Sequence, residues 1–399
     1  MQAKDNEPLL AGLRVLDLSQ GIAGPYCGAI LQQQGAEVIK VEPPGGDWAR
    51  NMGIERDGFS AVVLAYNAGK SGLCVDAGVD AGRAVLQRVA QQVDIVIQNF
   101  RPGVVDRLGI GYETLASLNE RLVYVSISGF GPDGPFADMP ATDNVLQAMS
   151  GMMHANRGAT GVPQKVGLYL ADIAAAVYAS QLACAALYRR SITGRGRHIQ
   201  LSLLEACAAI QSSNILDAVF SSGLSPARSA TAPGGVFRVS DGFITLATLN
   251  NGMFTRLCNV IGATHLLQDE RFGSNQSRLA HAELLNEQVA VQLRGECLAH
   301  WLPGLKAADI LHAAVGNYQD LLANTQVSHA GIFGEVRNAG LAALPRARHP
   351  GCPRSAAAES APRIGEHTAK VLAGFGFTAR EVGELVASRV VRVSEHAGK

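Results

Sequence analysis

Asp172 is the single charged side chain between Lys165 and Arg189, in the run Val-Gly-Leu-Tyr-Leu-Ala-Asp-Ile-Ala-Ala-Ala-Val-Tyr-Ala-Ser-Gln-Leu-Ala-Cys-Ala-Ala-Leu-Tyr. An ionised carboxylate among apolar residues is costly unless it is paired or hydrogen-bonded. From Ile173 onward the run is alanine-rich and free of Gly and Pro, which predicts a buried helix. Asp172 stands at the start of that helix, where free amides and the helix dipole favour negative charge. Two readings follow. It is an N-cap or first-turn aspartate that only stabilises the helix, or it is a nucleophilic or basic carboxylate in a dry pocket. The residues around it decide between them.

Asn99-Phe-Arg-Pro-Gly-Val-Val-Asp-Arg follows an apolar run ending near Ile97. It presents Arg101 and Arg107 beyond the carboxyl end of a strand, where open α/β sheets bind ligands. Guanidinium forks suit phosphate oxygens, although two solvated surface arginines read the same way. Lys70, in Asn67-Ala-Gly-Lys-Ser, carries the same pair of readings. Ser126-Ile-Ser-Gly-Phe-Gly-Pro-Asp-Gly-Pro is glycine-rich directly after a strand, so its backbone can approach a ligand closely or simply turn. Gly21-x-x-Gly24-Pro25-x-x-Gly28 is not the dinucleotide fingerprint: the third glycine is displaced, and Pro25 suits the first residue of a helix. A phosphate at that helix N-terminus remains compatible with the turn. His154 is isolated, no His or Cys spacing suits a metal, and no G-x-S-x-G elbow is present.

These residues need elements to hold them. Gly12-Leu-Arg-Val-Leu-Asp-Leu-Ser and Ala36-Glu-Val-Ile-Lys-Val-Glu read as strands around a helix, the start of a doubly wound sheet. A helix from about Ala81 to Gln92 precedes two further strands, at Val93–Asn99 and Leu122–Ser128. Residues 217–234 read as a linker rich in Ser, Ala, Gly and Pro. Gly235-Val-Phe-Arg-Val and Phe243-Ile-Thr-Leu-Ala-Thr form a hairpin through Ser240-Asp241-Gly242. Helical periodicity fills most of 253–324, the Pro- and Ala-rich stretch 344–362 is irregular, and a last helical pattern runs from Gly365 to about Ala387.

The chain's 399 residues suit two domains, and its 34 Lys+Arg balance 34 Asp+Glu, so no basic field points to nucleic acid or an anionic membrane. The seven cysteines are scattered without a C-x-x-C pair, as expected of reduced cytoplasmic thiols. The N-terminal residues lack the apolar core of a secretory signal, and the alanine-rich run reads as a core helix rather than a membrane span.

Taken in order, the motifs resemble the family III CoA transferases, the group of formyl-CoA transferase and carnitine CoA transferase, whose fold α-methylacyl-CoA racemase shares. The likeness is carried by Leu16-Asp17-Leu18 with Ala23-Gly24-Pro25, Glu37-Val-Ile-Lys-Val-Glu, Asn67 with Lys70-Ser71, and Asn99-Phe-Arg-Pro-Gly. It continues through Ser128-Gly-Phe-Gly, Gly134-Pro, Asp143 with Gln147-Ala-Met-Ser-Gly, the Gly167-to-Asp172 step, Thr193-Gly-Arg-Gly with Ser202-Leu, Asp241-Gly and Gly365-Glu-His-Thr. The resemblance implies an α/β fold: a Rossmann-like large domain from residues 1–216 completed by 325–399, with a smaller α+β domain at 235–324. It also implies a homodimer of interlocked rings.

By the same resemblance Asp172 is the nucleophile, and Gln20, Ala23, Lys70, Val75, Asn99, Arg101 and Arg107 line a CoA site. The reaction implied is transfer of CoA from an acyl-CoA to a free carboxylic acid through aspartyl anhydride and aspartyl-CoA intermediates. CoA is then a substrate, and no permanently bound cofactor is expected. Succinyl-CoA with a small dicarboxylate is the default pair. At its reference pKa of about 3.9 the aspartate is ionised at pH 7, and amides of the Ser128–Gly131 loop are expected to hold the oxyanion. Two features depart from relatives. The racemases' Gly-His-Asp is replaced by Ala141-Thr142-Asp143, which removes one proton-transfer group. The glycine loop of formyl-CoA transferase has only Ser229-Ala-Thr-Ala-Pro-Gly-Gly as its nearest stretch.

Overall fold

The computed structural model describes residues 7–158, 161–221, 231–352 and 359–394. The chain forms two compact units, Met1–Leu216 with Gly331–Lys399, and Asp217–Ala330. In the first, β1 (Arg14–Asp17), α1 (Ala23–Gln33) and β2 (Glu37–Glu42) are followed by the short pair β3 (Glu55–Arg56) and β4 (Phe59–Ser60) and by α2 (Ala61–Asn67). Then come β5 (Ser71–Val75), α3 (Asp80–Ala90), β6 (Ile95–Gln98), α4 (Val104–Arg107), α5 (Tyr112–Leu118) and β7 (Val123–Ser128). Helices α6 (Asp143–Met149), α7 (Met152–Ala155) and α8 (Leu170–Thr193) precede β8 (Arg197–Ser202) and α9 (Leu203–Ile210).

The central sheet runs β5-β2-β1-β6-β7-β8, all parallel, with the short strand Val391–Arg392 antiparallel on the β5 edge. Strand β1 pairs with β2 on one side and β6 on the other. The winding reverses there, and the crevice beyond the carboxyl ends of β1 and β6 is the natural ligand site of such a sheet. Both faces are covered, so the strands are largely apolar, with Asp17, Lys40 and Glu42 as buried charged exceptions. Val15, Ile95, Ile97, Val123 and Val125 pack towards α1 and α8; Leu16, Val96 and Tyr124 pack towards Val85, Leu86 and Leu372 on the other face.

Helix α8 buries a face of Ala171, Ala174, Ala175, Ala179, Ala183 and Ala186. Small side chains bring the helix close to the sheet and α1, and a larger residue on that face would overpack by about 1–3 kcal/mol. Gly194 ends the helix in the left-handed conformation (φ 74°), and Arg190 in its last turn pairs with Asp94 at 2.9 Å. Among the described residues α8 is the one helix long and apolar enough to cross a membrane, and half of its most apolar window is buried in the fold.

An array of six charges, five of them buried and Arg50 partly so, underlies the β1–α1 turn. Lys70 Nζ donates to Asp17 Oδ2 at 2.8 Å, to the Pro25 carbonyl at 2.7 Å and to Asn67 Oδ1 at 2.9 Å. Lys40 pairs with Asp47 at 2.8 Å and donates to the Ser19 carbonyl. Arg50 grips both oxygens of Glu42, at 2.7 and 2.6 Å. Burial opposes ionisation of Asp17, but Lys70 and Lys40 outweigh it and hold its carboxyl below the ordinary value. The glycines of the turn make room for this packing. A Cβ on Gly28 would lie 2.9 Å from Asp17 Oδ2, and one on Gly21 (φ +79°) would lie 2.2 Å from the Trp48 ring.

The second unit holds a three-stranded antiparallel sheet of Gly234–Val239, Gly242–Ala247 and Leu311–Ala314. Its hairpin pairs Val239 with Gly242. Phe237, Ile244, Leu257 and Trp301 form its core.

Three expectations about elements change. Helix Ser212–Phe220 runs into the stretch read as a linker from 217. Leu344–Ala347, read as irregular because of Pro345, is a strand paired with Phe333–Val336; proline sits on a two-stranded ribbon, where it breaks no central ladder. Leu311–Ala314 interrupts the helical region as a strand. Ser229 and Ala230, at the start of the stretch compared with the glycine loop, lie outside the described residues.

Removing Lys70 leaves Asp17 charged and unpaired, so Lys70→Met should cost about 3–5 kcal/mol. The double variant Lys70→Met with Asp17→Leu should recover part of that loss. Urea unfolding midpoints check both, and equal stability of parent and Lys70→Met would refute the pairing.

Candidate active site

Asp172 lies in the first turn of α8 but does not cap it. Asp143, at the start of α6, accepts the Ala171 N–H at 2.8 Å and the Asp172 N–H at 3.4 Å through Oδ1. The residue in the N-cap position, Tyr169, makes no side-chain cap bond. The work of an N-cap is therefore done by a carboxylate from another helix. Among the described residues no donor reaches the Asp172 carboxylate itself. It opens into a cavity of about 370 Å³ walled by Ile22, Trp48, Phe100, Ile127, Tyr169 and Leu203, with Gln20, Asn99, Ser128 and Thr142 as polar lining.

Two effects act on its proton. Burial strips water from the carboxylate, and the neighbouring Asp143 charge adds repulsion, so the pKa rises to about 7. The expectation of an ordinary aspartate, fully ionised well below neutral pH, is thus corrected: burial and Asp143 hold the Asp172 proton to much higher pH. Tyr66 on α2 feels the same charge, its hydroxyl being pushed up to about 12 by burial, Tyr26, Asp172 and Tyr169.

Gln20, Ala23 and Asn99 line the same cavity as Asp172. Asn99 also builds the wall: its Oδ1 accepts the Gln20 N–H at 2.8 Å and its Nδ2 donates to the Gln20 carbonyl at 2.7 Å. Gly21 N–H is held by Asp47 at 3.0 Å, so these turn amides already have partners. Arg101 opens instead onto a second cavity of about 410 Å³, which shares Phe100, Ile127 and Ser128 with the first. Arg107 is exposed at the end of α4.

Lys70 and Val75 do not belong to this lining. The Lys70 side chain is fully buried by its ion pair with Asp17, and Val75 is a core residue of β5. Of the glycine loop after β7, Ser128 and Gly129 reach the cavity, but the Gly131 N–H is already bonded to Ser128 Oγ at 3.1 Å and is not free for an oxyanion. His154 is exposed beside Arg157, outside the lining of the cavity. The residue that sequence reasoning left without a role is Asp143. Its visible signals are its place in the motif running to Gln147 and its match to the aspartate of the racemases' Gly-His-Asp.

The model of CoA-transferase family III matches residues 10–368. The chain belongs to that family. A succinate–glutarate CoA-transferase of Agrobacterium fabrum is 32% identical over 385 residues, covering 92% of this chain and 96% of the relative. An acetyl-CoA:oxalate CoA-transferase of Acetobacter aceti is 37% identical over 310 residues, 76% of this chain and 78% of its own. The crystal structure of a CAIB/BAIF family protein from Brucella suis superposes with a TM-score of 0.83 at 31% identity, covering 93% of this chain and all of that one. The mixed α/β fold with a mainly parallel sheet is thus a family III CoA-transferase fold, and the chain is a CoA transferase.

The raised pKa of Asp172 has a testable sign. Its value is about 7 in the folded protein against 3.8 for the free group, so the folded state holds the proton longer. The carboxyl then destabilises the fold progressively as pH rises from about 4 to about 7 and fully above that. Asp172→Asn should melt like the parent at pH 4 and at higher temperature than the parent at pH 8, read by calorimetry. A difference that does not vary with pH would show that the site does not retain the proton.

Proposed function

We propose that this family III enzyme moves CoA from an acyl-CoA thioester to a free carboxylic acid with Asp172 as nucleophile. The observation that carries the reading is a carboxylate at the head of a helix, relieved of capping by Asp143 and open, without a hydrogen-bond partner among the described residues, to an apolar-walled cavity. In its ionised form it attacks the thioester carbonyl and CoA thiolate leaves, giving a mixed anhydride. The thiolate attacks the aspartyl carbonyl of that anhydride, releasing the donor acid and forming an aspartyl-CoA thioester. The acceptor carboxylate repeats the sequence in reverse, and Asp172 is regenerated. Each intermediate hydrolyses in water, so the walls of Ile22, Trp48, Phe100 and Leu203 serve to keep water out.

The nucleotide end of CoA extends past Phe100 towards Arg101 and Arg107. The wall shared by the two cavities and the fork geometry of arginine support that direction. Lys70 acts from below by holding the β1–α1 turn, and Val75 contributes no side chain. Small dicarboxylic acids, with succinyl-CoA as one donor, are the substrate class, by likeness to relatives named for glutarate and oxalate transfer. The working form is a homodimer of interlocked rings in the cytoplasm. The seven free cysteines suit a reducing compartment. The racemase alternative is disfavoured by Thr142, which stands in the cavity wall where the racemases carry an imidazole.

Incubated with acyl-CoA and no acceptor, the enzyme should carry CoA covalently on Asp172, detected by mass spectrometry of peptides. Hydroxylamine should remove the label, and Asp172→Asn should never acquire it. Solvent deuterium entering the α-carbon without an adduct would replace transfer by racemisation. For the nucleotide end, Arg107→Ala should raise KM for acyl-CoA about tenfold and leave kcat within about twofold, the pattern of lost uniform binding. An unchanged KM would remove Arg107 from the CoA path.

A further inference from the structure

Gln147 lies one turn beyond Asp143 on α6 and is fully buried. Its amide is engaged at both ends. Nε2 donates to Asp143 Oδ2 at 2.6 Å and to the Leu168 carbonyl at 3.0 Å, while Oε1 accepts the Val166 N–H at 2.9 Å. Two donors and an acceptor on one planar terminus are what a primary amide offers; a carboxylate lacks the donors, and an apolar chain lacks all three. One side chain therefore ties two things to α6. The first is the 166–168 segment that leads into α8. The second is the carboxylate that takes the first amides of α8.

The head of α8 has little else to locate it, since Tyr169 makes no side-chain cap bond. We propose that Gln147 is a positioning residue for Asp172: it pins the Asp143 carboxylate against the first amides of α8, and the segment entering that helix with it, and so fixes where the Asp172 carboxylate points. The consequence for the reaction rests on Asp172 being the nucleophile. Near-attack geometry tolerates little error, and displacement by an ångström is enough to slow a reaction by orders of magnitude.

The groups facing Asp172 are Asp143 on α6, Tyr169 beside it, Tyr66 on α2 and Cys207 on α9. After burial, the Asp143 charge is what raises the Asp172 proton affinity. Releasing Asp143 should lower that affinity, and adding a third carboxylate should raise it.

The test uses Gln147→Met and Gln147→Glu in the full-length enzyme. Gln147→Met should lower kcat roughly 10- to 100-fold with KM for acyl-CoA within about twofold. The Asp172 carboxyl titration is read without turnover, as the infrared difference between each variant and the same variant carrying Asp172→Asn. It should move down in Gln147→Met and up in Gln147→Glu. A lower melting temperature with an unmoved titration and an unchanged kcat per folded molecule would make Gln147 merely structural and overturn the proposal. Opposite shifts together with full activity of Asp172→Asn would uphold the positioning and discard the nucleophile.

Discussion

The structure turns on a division of labour between two carboxylates at one helix end. A helix N-terminus attracts negative charge, and an aspartate in the first turn would ordinarily fold back onto the free amides. Here those amides are already taken by Asp143. Asp172 keeps the field of the helix without its hydrogen bonds, at the edge of a largely apolar-walled cavity. Reactivity and burial, which usually compete in a carboxylate, are thereby separated. The hydrogen-bonding amides go to one group, and the oxygen atoms of the other are left open to the cavity. The alanine face of α8 serves the same arrangement, because only a closely packed helix can hold its first turn against α6 and the sheet.

The wall opposite Asp172 rests on a different principle. The Gln20–Ala23 turn sits above two buried lysines, the part-buried Arg50 and three buried anions, with strand and loop atoms filling their remaining hydrogen bonds. Such an array is a poor source of net stability, since removing six charges from water is expensive. Its effect is geometric. Each charge has its partners at defined positions, and any shift of the turn would strand one of them. A wall built this way is polar underneath and held in place from below.

Much of this was legible in the residues. The strand–turn–helix pattern around Gly21, the strand before Asn99 and the helix after Asp172 follow from apolar run length and glycine placement. Asp172 stood out because a lone charge in an alanine run needs a reason. What escaped was long-range. The cap of α8 comes from a residue 29 positions upstream of Asp172, and no local rule looks that far. Lys70 read as a loop cation because its partner, Asp17, lies 53 residues away on another strand. The pKa of Asp172 depends on a pocket that exists only after folding.

The discontinuous first unit has a consequence for synthesis. The strand at the β5 edge, and Leu372 and Phe375 behind it, are translated only after the entire inserted unit at 217–330. Until then Leu73 and Val75 on the sheet and Val85 on α3 emerge from the ribosome without these later partners, with an open strand edge beside them. Nascent chains in that condition expose both features that drive misassociation, apolar surface and unpaired backbone. The length of the inserted unit thus sets how much chain must be made between this face and the segment that covers it.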